Sequence, residues 1–294
     1  MTDSEVTNSD EQYTDRPAIN AEESQVSDLT RWLAGRATVR DFDPDAEIPD
    51  NEIRKMVDAG RKAPTSGTVQ MYSFVWVREQ SMRERIHELC DRGTKQVEEA
   101  SHFLLVCIDL RRVRLLLEHR DREFQSSPTM GVLEGAIDAS LAAMATMTAA
   151  ESQGYGICPI GNILNGLPEV AAAVDLPLGV LPIYGLCIGV PANEQAKENA
   201  PRLPLDAVLH EGEYQDPLPE LLETCHDTMD QMYGNSVYGD ADREWHGTLD
   251  RYWGPNGFMN RREETLLAAL RQQGFFTHRG IEEPADGDKD TGDT

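Results

Sequence analysis

A chain of 294 residues with 52 acidic against 27 basic side chains, a formal net charge of −25, offers no basic face for nucleic acid or for an anionic membrane surface. The length is ample for a substantial core, in one large domain or two modest ones. Five cysteines without CxxC spacing, of which Cys107, Cys158 and Cys187 sit in apolar runs, read as small buried residues of a reduced cytoplasmic protein, not as disulfides or zinc ligands.

Two readings of the acidity compete: a solvated acidic surface of the kind halophiles use, and a disordered acidic interaction protein. The acids are spread over the whole chain while apolar segments stay strong, which favours the first and predicts poor folding at low salt.

Residues 1–26 are acidic and poor in large apolar side chains; they read as a disordered arm, unlike a signal peptide. Ser27–Ala34 is a short helix. In the GRATVRDF run that follows, Arg36 and Arg40 flank Thr38: two guanidinium groups and a hydroxyl suit a phosphate, although local pairing with Asp41, Asp43 or Asp45 is the plainer alternative. A helix over Asp50–Ala63, capped by Asp50, places Ile53, Met56, Val57 and Gly60 at core spacing.

Pro64 stops that helix, and Thr65, Ser66, Gly67 and Thr68 make a small hydroxyl-rich loop whose backbone can approach a ligand. Gln70 adds an amide that donates and accepts, and Tyr72–Val77 is a strand. Helix, small polar loop and strand make a cradle, or an ordinary turn.

Ser81 and Glu84 have capping-box spacing for a helix to about Cys90, and a shorter helix follows around Lys95–Ala100. His102–Asp109 is a buried strand. Arg111–Ser127 reads as a short helix and a loop. Gly131–Gln153 is a long helix whose Ala139–Ala150 stretch carries no charge, so it is either the spine of the core or a surface packed on its own copy. No run reaches the length of a membrane span.

Gly154–Asn165 is a short strand and a turn rich in glycine, where backbone N–H groups could face a ligand. A helix over Leu167–Val174 and a strand over Val180–Gly189 follow. The Pro-punctuated excursion Pro201–Tyr214 is long enough to wrap a neighbour. Leu218–Tyr233 and Glu264–Gln273 are helical, separated by a polar stretch containing Asp242, Arg243 and Trp245; Glu282–Thr294 is an acidic tail. Residues 27–276 thus form one domain between an arm and a tail at 277–294. There is no metal-ligand cluster, nucleophile elbow, Walker loop or GxGxxG fingerprint. Phosphate anchors without an evident acid, base or nucleophile point to a cofactor that carries the chemistry itself.

These pieces, in this order, resemble the FMN-dependent nitroreductase family, in particular its NADPH-linked, oxygen-insensitive branch, which includes flavin reductases. Arg36, Thr38 and Arg40 stand in the family's basic-x-Ser-x-Arg pattern, and Thr65, Ser66, Gly67 and Gln70 in its small polar loop. Ala149–Gly156 reads AAESQGYG, with Ile160 and Gly161 after it; Leu186–Pro191, PRLP at Pro201–Pro204, and His210, Glu211 and Tyr214 complete the series. The resemblance implies an α+β fold, a central mixed β-sheet flanked by helices, in an intertwined homodimer with FMN at the subunit interface. It implies Arg36, Arg40 and Arg202 on the phosphate with Thr38 assisting, Thr65–Gly67 and Gln70 on flavin or ribityl, and backbone amides near Ile160 and Gly161 facing the ring. The implied activity is hydride transfer from NADPH or NADH through FMN, by a ping-pong mechanism, to nitroaromatics, quinones or free flavin, with no catalytic side chain. Reductive dehalogenation and flavin binding without turnover are the alternatives. Ala200 replaces the family's usual Lys, with Lys197 nearby, and Thr94 replaces a Gln. Of the basic cluster for the NADPH 2′-phosphate only Arg243 survives, so the choice of nicotinamide stays open.

Overall fold

Runs of aromatic and β-branched residues become strands, and the small-residue segments become the helices packed on them. The protein is described by a computed structural model over residues 27–90, 94–125, 127–193, 197–198, 200–234 and 244–276. In chain order these form α1 (Asp28–Ala34), β1 (Thr38–Val39), α2 (Asp50–Gly60), β2 (Tyr72–Val77), α3 (Gln80–Leu89), α4 (Gln96–Glu99), β3 (His102–Asp109), α5 (Arg111–Glu118), α6 (Pro128–Ser152), β4 (Gly156–Ile160), α7 (Leu167–Ala173), β5 (Val180–Gly189), β6 (Lys197–Glu198), α8 (Pro219–Gly234), α9 (Trp245–Trp253) and α10 (Met259–Gln272). The chain divides into two units after Arg36. In the first, α1 is capped by Ser27, whose Oγ accepts from Thr30 N–H at 3.1 Å.

In the second unit four strands lie in the order β2-β3-β5-β4, each neighbouring pair antiparallel. The mixed sheet expected from the resemblance is corrected to an antiparallel one in the single chain. A parallel pair needs a crossover to the opposite end of the sheet. Here α3 and α4 return the chain to the end where β2 finished, so Val77 lies opposite Phe103. Every residue of β3 is buried, and its alternation splits the core. Leu104 and Val106 pack with Ile53, Met56, Ala139, Ala142 and Ala143 beneath α2 and α6. Phe103, Leu105 and Cys107 pack with Ile86, Ile163, Leu167, Leu270 and Phe275 on the side of α3, α7 and α10.

Small residues let α6 come close to its neighbours. A Cβ on Gly60 of α2 would meet Thr146 Oγ1 at 1.9 Å and the Ala142 carbonyl at 2.9 Å, and one on Gly135 would lie 2.4 Å from the Ile108 side chain. The helix is not buried all round, however. Met130, Leu133, Ile137 and Leu141, three and four residues apart, share an exposed face, at 49%, 52%, 45% and 39% of their surface. Contrary to the expectation of no span-length run, α6 is long and apolar enough to cross a bilayer by composition. Its other face is nonetheless committed to the sheet.

The boundaries of β2, β3 and β5 agree with the sequence pattern, the short strands β1 and β6 were not expected from it, and the helix caps differ. Pro49, not Asp50, is the N-cap of α2, and the Asp50 carboxylate pairs instead with Arg78. The helix closes at Gly60: Arg61 N–H makes the last helical bond, to Val57 O, and the N–H groups of Lys62 and Ala63 fold into tighter turns, the latter reaching Gly60 O at 3.0 Å. Glu79 is the N-cap of α3, so Ser81 lies inside the first turn and caps nothing. α9 fills the stretch read as polar connection, and α10 starts at Met259, ahead of Glu264. The arm at 1–26 and the tail at 277–294 lie outside the described residues. All five cysteines are free and buried, as their apolar settings require.

One buried carboxylate ties this frame to the loop before β2. Asp138, on α6, has no exposed surface. Its Oδ1 accepts from Ser66 N–H at 2.8 Å and its Oδ2 from Met71 N–H at 2.9 Å, closing the loop from both ends. A neutral amide can accept through only one of those positions. Asp138→Asn is therefore expected to cost about 2–3 kcal/mol in urea unfolding, the scale of a hydrogen bond to a charged group, and to admit a protease at 65–71. An unchanged urea midpoint would show that the loop holds its own shape.

Candidate functional site

The loop at 65–71 is unusual in its backbone. Gly67, Thr68 and Gln70 all have positive φ, at 54°, 59° and 59°. For a β-branched threonine that region is costly and persists only when the surroundings impose it. Asp138 supplies part of that constraint. Arg112 supplies more, donating to the carbonyls of Gln70 and Tyr72 (2.6 Å for the latter) and to Ser73 Oγ at 3.0 Å. Asp109 steadies Arg112 at 3.1 Å. The result is a rigid loop with an exposed rim formed by Ser66, Gly67, Thr68, Val69 and Gln70. The side-chain amide of Gln70 donates to Thr68 O at 3.3 Å, and Thr68 Oγ1 donates to Gly67 O at 2.6 Å, so the rim is partly bonded to itself. Thr65, half-buried, leads into it in extended conformation.

A second group forms along β4. β1 pairs with β6, Thr38 opposite Glu198 and Val39 opposite Lys197. Val39 closes over Gly156, where a Cβ would sit 2.7 Å from the valine side chain. That contact lays Thr38 and Arg40, both half-buried, beside β4. The Arg40 guanidinium is felt by the Cys158 thiol: burial pushes that thiol up to about 11, and the positive charge of Arg40 opposes the rise. β4 ends at buried Ile160, and the chain turns at Gly161, which is exposed and has nothing within 4 Å of the place a Cβ would take. The backbone at Gly161 is therefore open to a flat molecule.

The turn itself is held from behind. Arg262 of α10 donates to Asn165 Oδ1 at 2.8 Å and to Asn162 Oδ1 at 3.1 Å, and Thr265 Oγ1 donates to Leu164 O at 2.6 Å.

The two groups do not converge within one chain. Val75, Leu105, Gly185 and Ile160 form one row across the sheet, with β2 and β4 at opposite edges. Three strand spacings separate them, about 14 Å, and Gln70 lies beyond the far end of β2. Arg202 is exposed and donates to its own neighbours, Ala200 O at 2.8 Å and Pro201 O at 3.0 Å. Arg36 belongs to the first unit, half-buried, its N–H reaching Leu33 O at 3.4 Å. Arg243 lies outside the described residues. Downstream, Leu205, Val208, Leu209, Tyr214 and Leu218 expose 60–75% of their surface.

Sequence reasoning singled out the rim of the cradle and missed what holds it: Asp138, Arg112 and Arg262. Only Asp138 carried a signal, as a lone carboxylate between Gly135 and an uncharged run.

Residues 33–190 match the Nitroreductase family and residues 200–278 the Nitroreductase family C-terminal domain. A relative described as a Cr(VI) reductase, from Pseudomonas sp. (strain G-1), is 36% identical over 204 residues, covering 69% of this chain and 82% of the relative. The structure of NfrA2 from B. megaterium superposes with a TM-score of 0.75 at 25% identity, covering 88% of this chain and all of that one. The NADPH:FMN oxidoreductase from Vibrio harveyi superposes with a TM-score of 0.70 at 26% identity, over 84% of this chain and 98% of that one. With the antiparallel sheet between helical layers, the open turn after β4 and two family matches in tandem, the chain belongs to the nitroreductase family and is an oxidoreductase of that type.

Proposed function

We propose that this chain is an FMN-dependent oxidoreductase, taking hydride from NADPH or NADH and passing it by a ping-pong mechanism to a nitroaromatic, a quinone or free flavin. One observation carries the reading. The two halves of the cradle lie at opposite edges of one sheet, each open, beside an apolar stripe on α6 that is exposed among the described residues. A second copy placed on that stripe brings the loop of one chain toward the β4 turn of the other. The exposed apolar excursion 205–218 wraps the partner on the same argument.

The residues present fit FMN. Arg40 and Arg202 supply guanidinium groups for its phosphate, with the Thr38 hydroxyl beside Arg40. Arg36 enters this set from the motif alone. Gly161 leaves room for a ring to lie against backbone, as a side chain there would not. When bound, FMN supplies the two-electron relay between nicotinamide and acceptor. The chain's own work is to position and to exclude water. The Thr65–Gly67 backbone and the Gln70 amide, pinned by Asp138 and Arg112, fix the edge of the ring, and Ile160 and Gly161 present backbone groups to it. No side-chain acid or base is assigned. Arg243 is the candidate for a 2′-phosphate contact, and the protein is cytoplasmic and adapted to salt through its −25 charge.

Protein purified in high salt should be yellow, and NADPH or NADH should bleach it anaerobically. Colourless protein that takes up no FMN sinks the reading. Yellow protein that neither nicotinamide bleaches leaves only a flavin-binding role or other flavin chemistry. An acceptor screen should include chromate beside nitroaromatics, quinones and flavin, given the name of the Pseudomonas relative. Arg40→Ala should weaken FMN binding by about 1.5–3 kcal/mol, the scale of a charged hydrogen bond; equal affinity in a fluorescence titration would remove Arg40 from the site. Ile137→Arg should give a monomer in sedimentation that has lost FMN, whereas a dimer that keeps it would clear α6 of the role. Finally, the unfolding midpoint should rise with potassium chloride concentration, and a flat salt dependence would rule out salt adaptation.

A further inference from the structure

The polar side chains of the turn Gly161–Gly166 do not serve its open side. Asn162 and Asn165, both half-buried, direct their carbonyl oxygens to one guanidinium, that of Arg262, at 3.1 and 2.8 Å. A guanidinium has no acceptor, so it dictates which amide atom faces it and locks both side chains. Arg262 is itself seated, its guanidinium carbon 4.5 Å from the Phe258 ring centre, with Phe258 edge-on to Tyr252 at 4.2 Å. Thr265, one position beyond Glu264 on α10, fixes the intervening carbonyl of Leu164. At the far end Gly166 is pressed against α3, where a Cβ would meet Leu89 O at 2.6 Å. The turn therefore has one clamped side and one open side, and Gly161 is on the open one.

We infer that Arg262 is a positioning residue for the flavin: through Asn162 and Asn165 it fixes the turn that presents Ile160 and Gly161, from a helix that belongs to the C-terminal family match. This rests on the proposed FMN site. The fork reaches two acceptors, on Asn162 and Asn165, in rigid geometry, which an ammonium, a point donor, cannot reproduce. The hydrogen bonds that Arg262 makes to Asn162 and Asn165 act on the β4 turn.

The test is FMN titration of full-length protein by flavin fluorescence, each variant held well below its own unfolding midpoint. Arg262→Ala is expected to weaken FMN about tenfold, what one charged hydrogen bond is worth, with Arg262→Lys recovering less than half of the loss and added guanidinium ion recovering part of it in the alanine variant only. Should Arg262→Ala fail to fold, the Asn162→Ala/Asn165→Ala pair, which leaves Arg262 stacked on Phe258, is expected to show the same weakening. Variants that lower the unfolding midpoint yet bind FMN like the wild type would overturn the inference and leave the proposed function standing. A wild-type protein that binds no FMN would overturn both.

Discussion

A carboxylate with no exposed surface must find its hydrogen bonds inside the protein, and Asp138 finds them in the backbone of a loop far away in sequence. The consequence runs in both directions. The loop keeps three residues in left-handed conformations because α6 holds it at both ends. The helix, in turn, is registered against the sheet by a contact that a slide of one turn would break. Gly60 and Gly135 add steric limits on the two sides, against Thr146 and Ile108. The polar rim of the site is thus an extension of the core packing and not a free-standing loop.

The same helix has a second face. Small residues fill the side toward α2 and the sheet, and larger ones, Met130, Leu133, Ile137 and Leu141, fill the side toward solvent. A stripe of this kind on a chain with net charge −25 is costly to leave wet. The proposed dimer accounts for it together with the apolar excursion and the divided cradle, three features that have no common explanation in a single chain.

Much of the fold was legible in the sequence. Tyr72–Val77, His102–Asp109 and Val180–Gly189 were bounded correctly because buried strands are written as continuous apolar runs with breakers at both ends. Caps were misread at Asp50 and Ser81, since the two helices begin after Pro49 and Glu79, one and two positions earlier, without a side-chain cap hydrogen bond for the sequence to signal. α9 was missed because WHGTLDRYW is short, carries a glycine and lies in a polar stretch, although Trp245, Leu249, Tyr252 and Trp253 do have helical spacing. Of the site, the rim residues stood out by type: two arginines around a threonine, a glycine in a hydroxyl-rich loop. Their supports did not, because Asp138 lies 67 and 72 residues from its partners and Arg262 lies 97 and 100 from its own. Local pattern carries no information about pairs that distant.

The placement of the loop and the β4 turn at opposite edges of the sheet has a genetic corollary. If each site takes one half from each chain, a lesion in the loop and a lesion near Arg40 damage different halves. In a mixed dimer of two such chains, one site collects both lesions and the other collects neither. Two alleles that are each inactive alone would then restore activity together, one intact site in each mixed dimer, and a damaged allele would be partly masked by a differently damaged one.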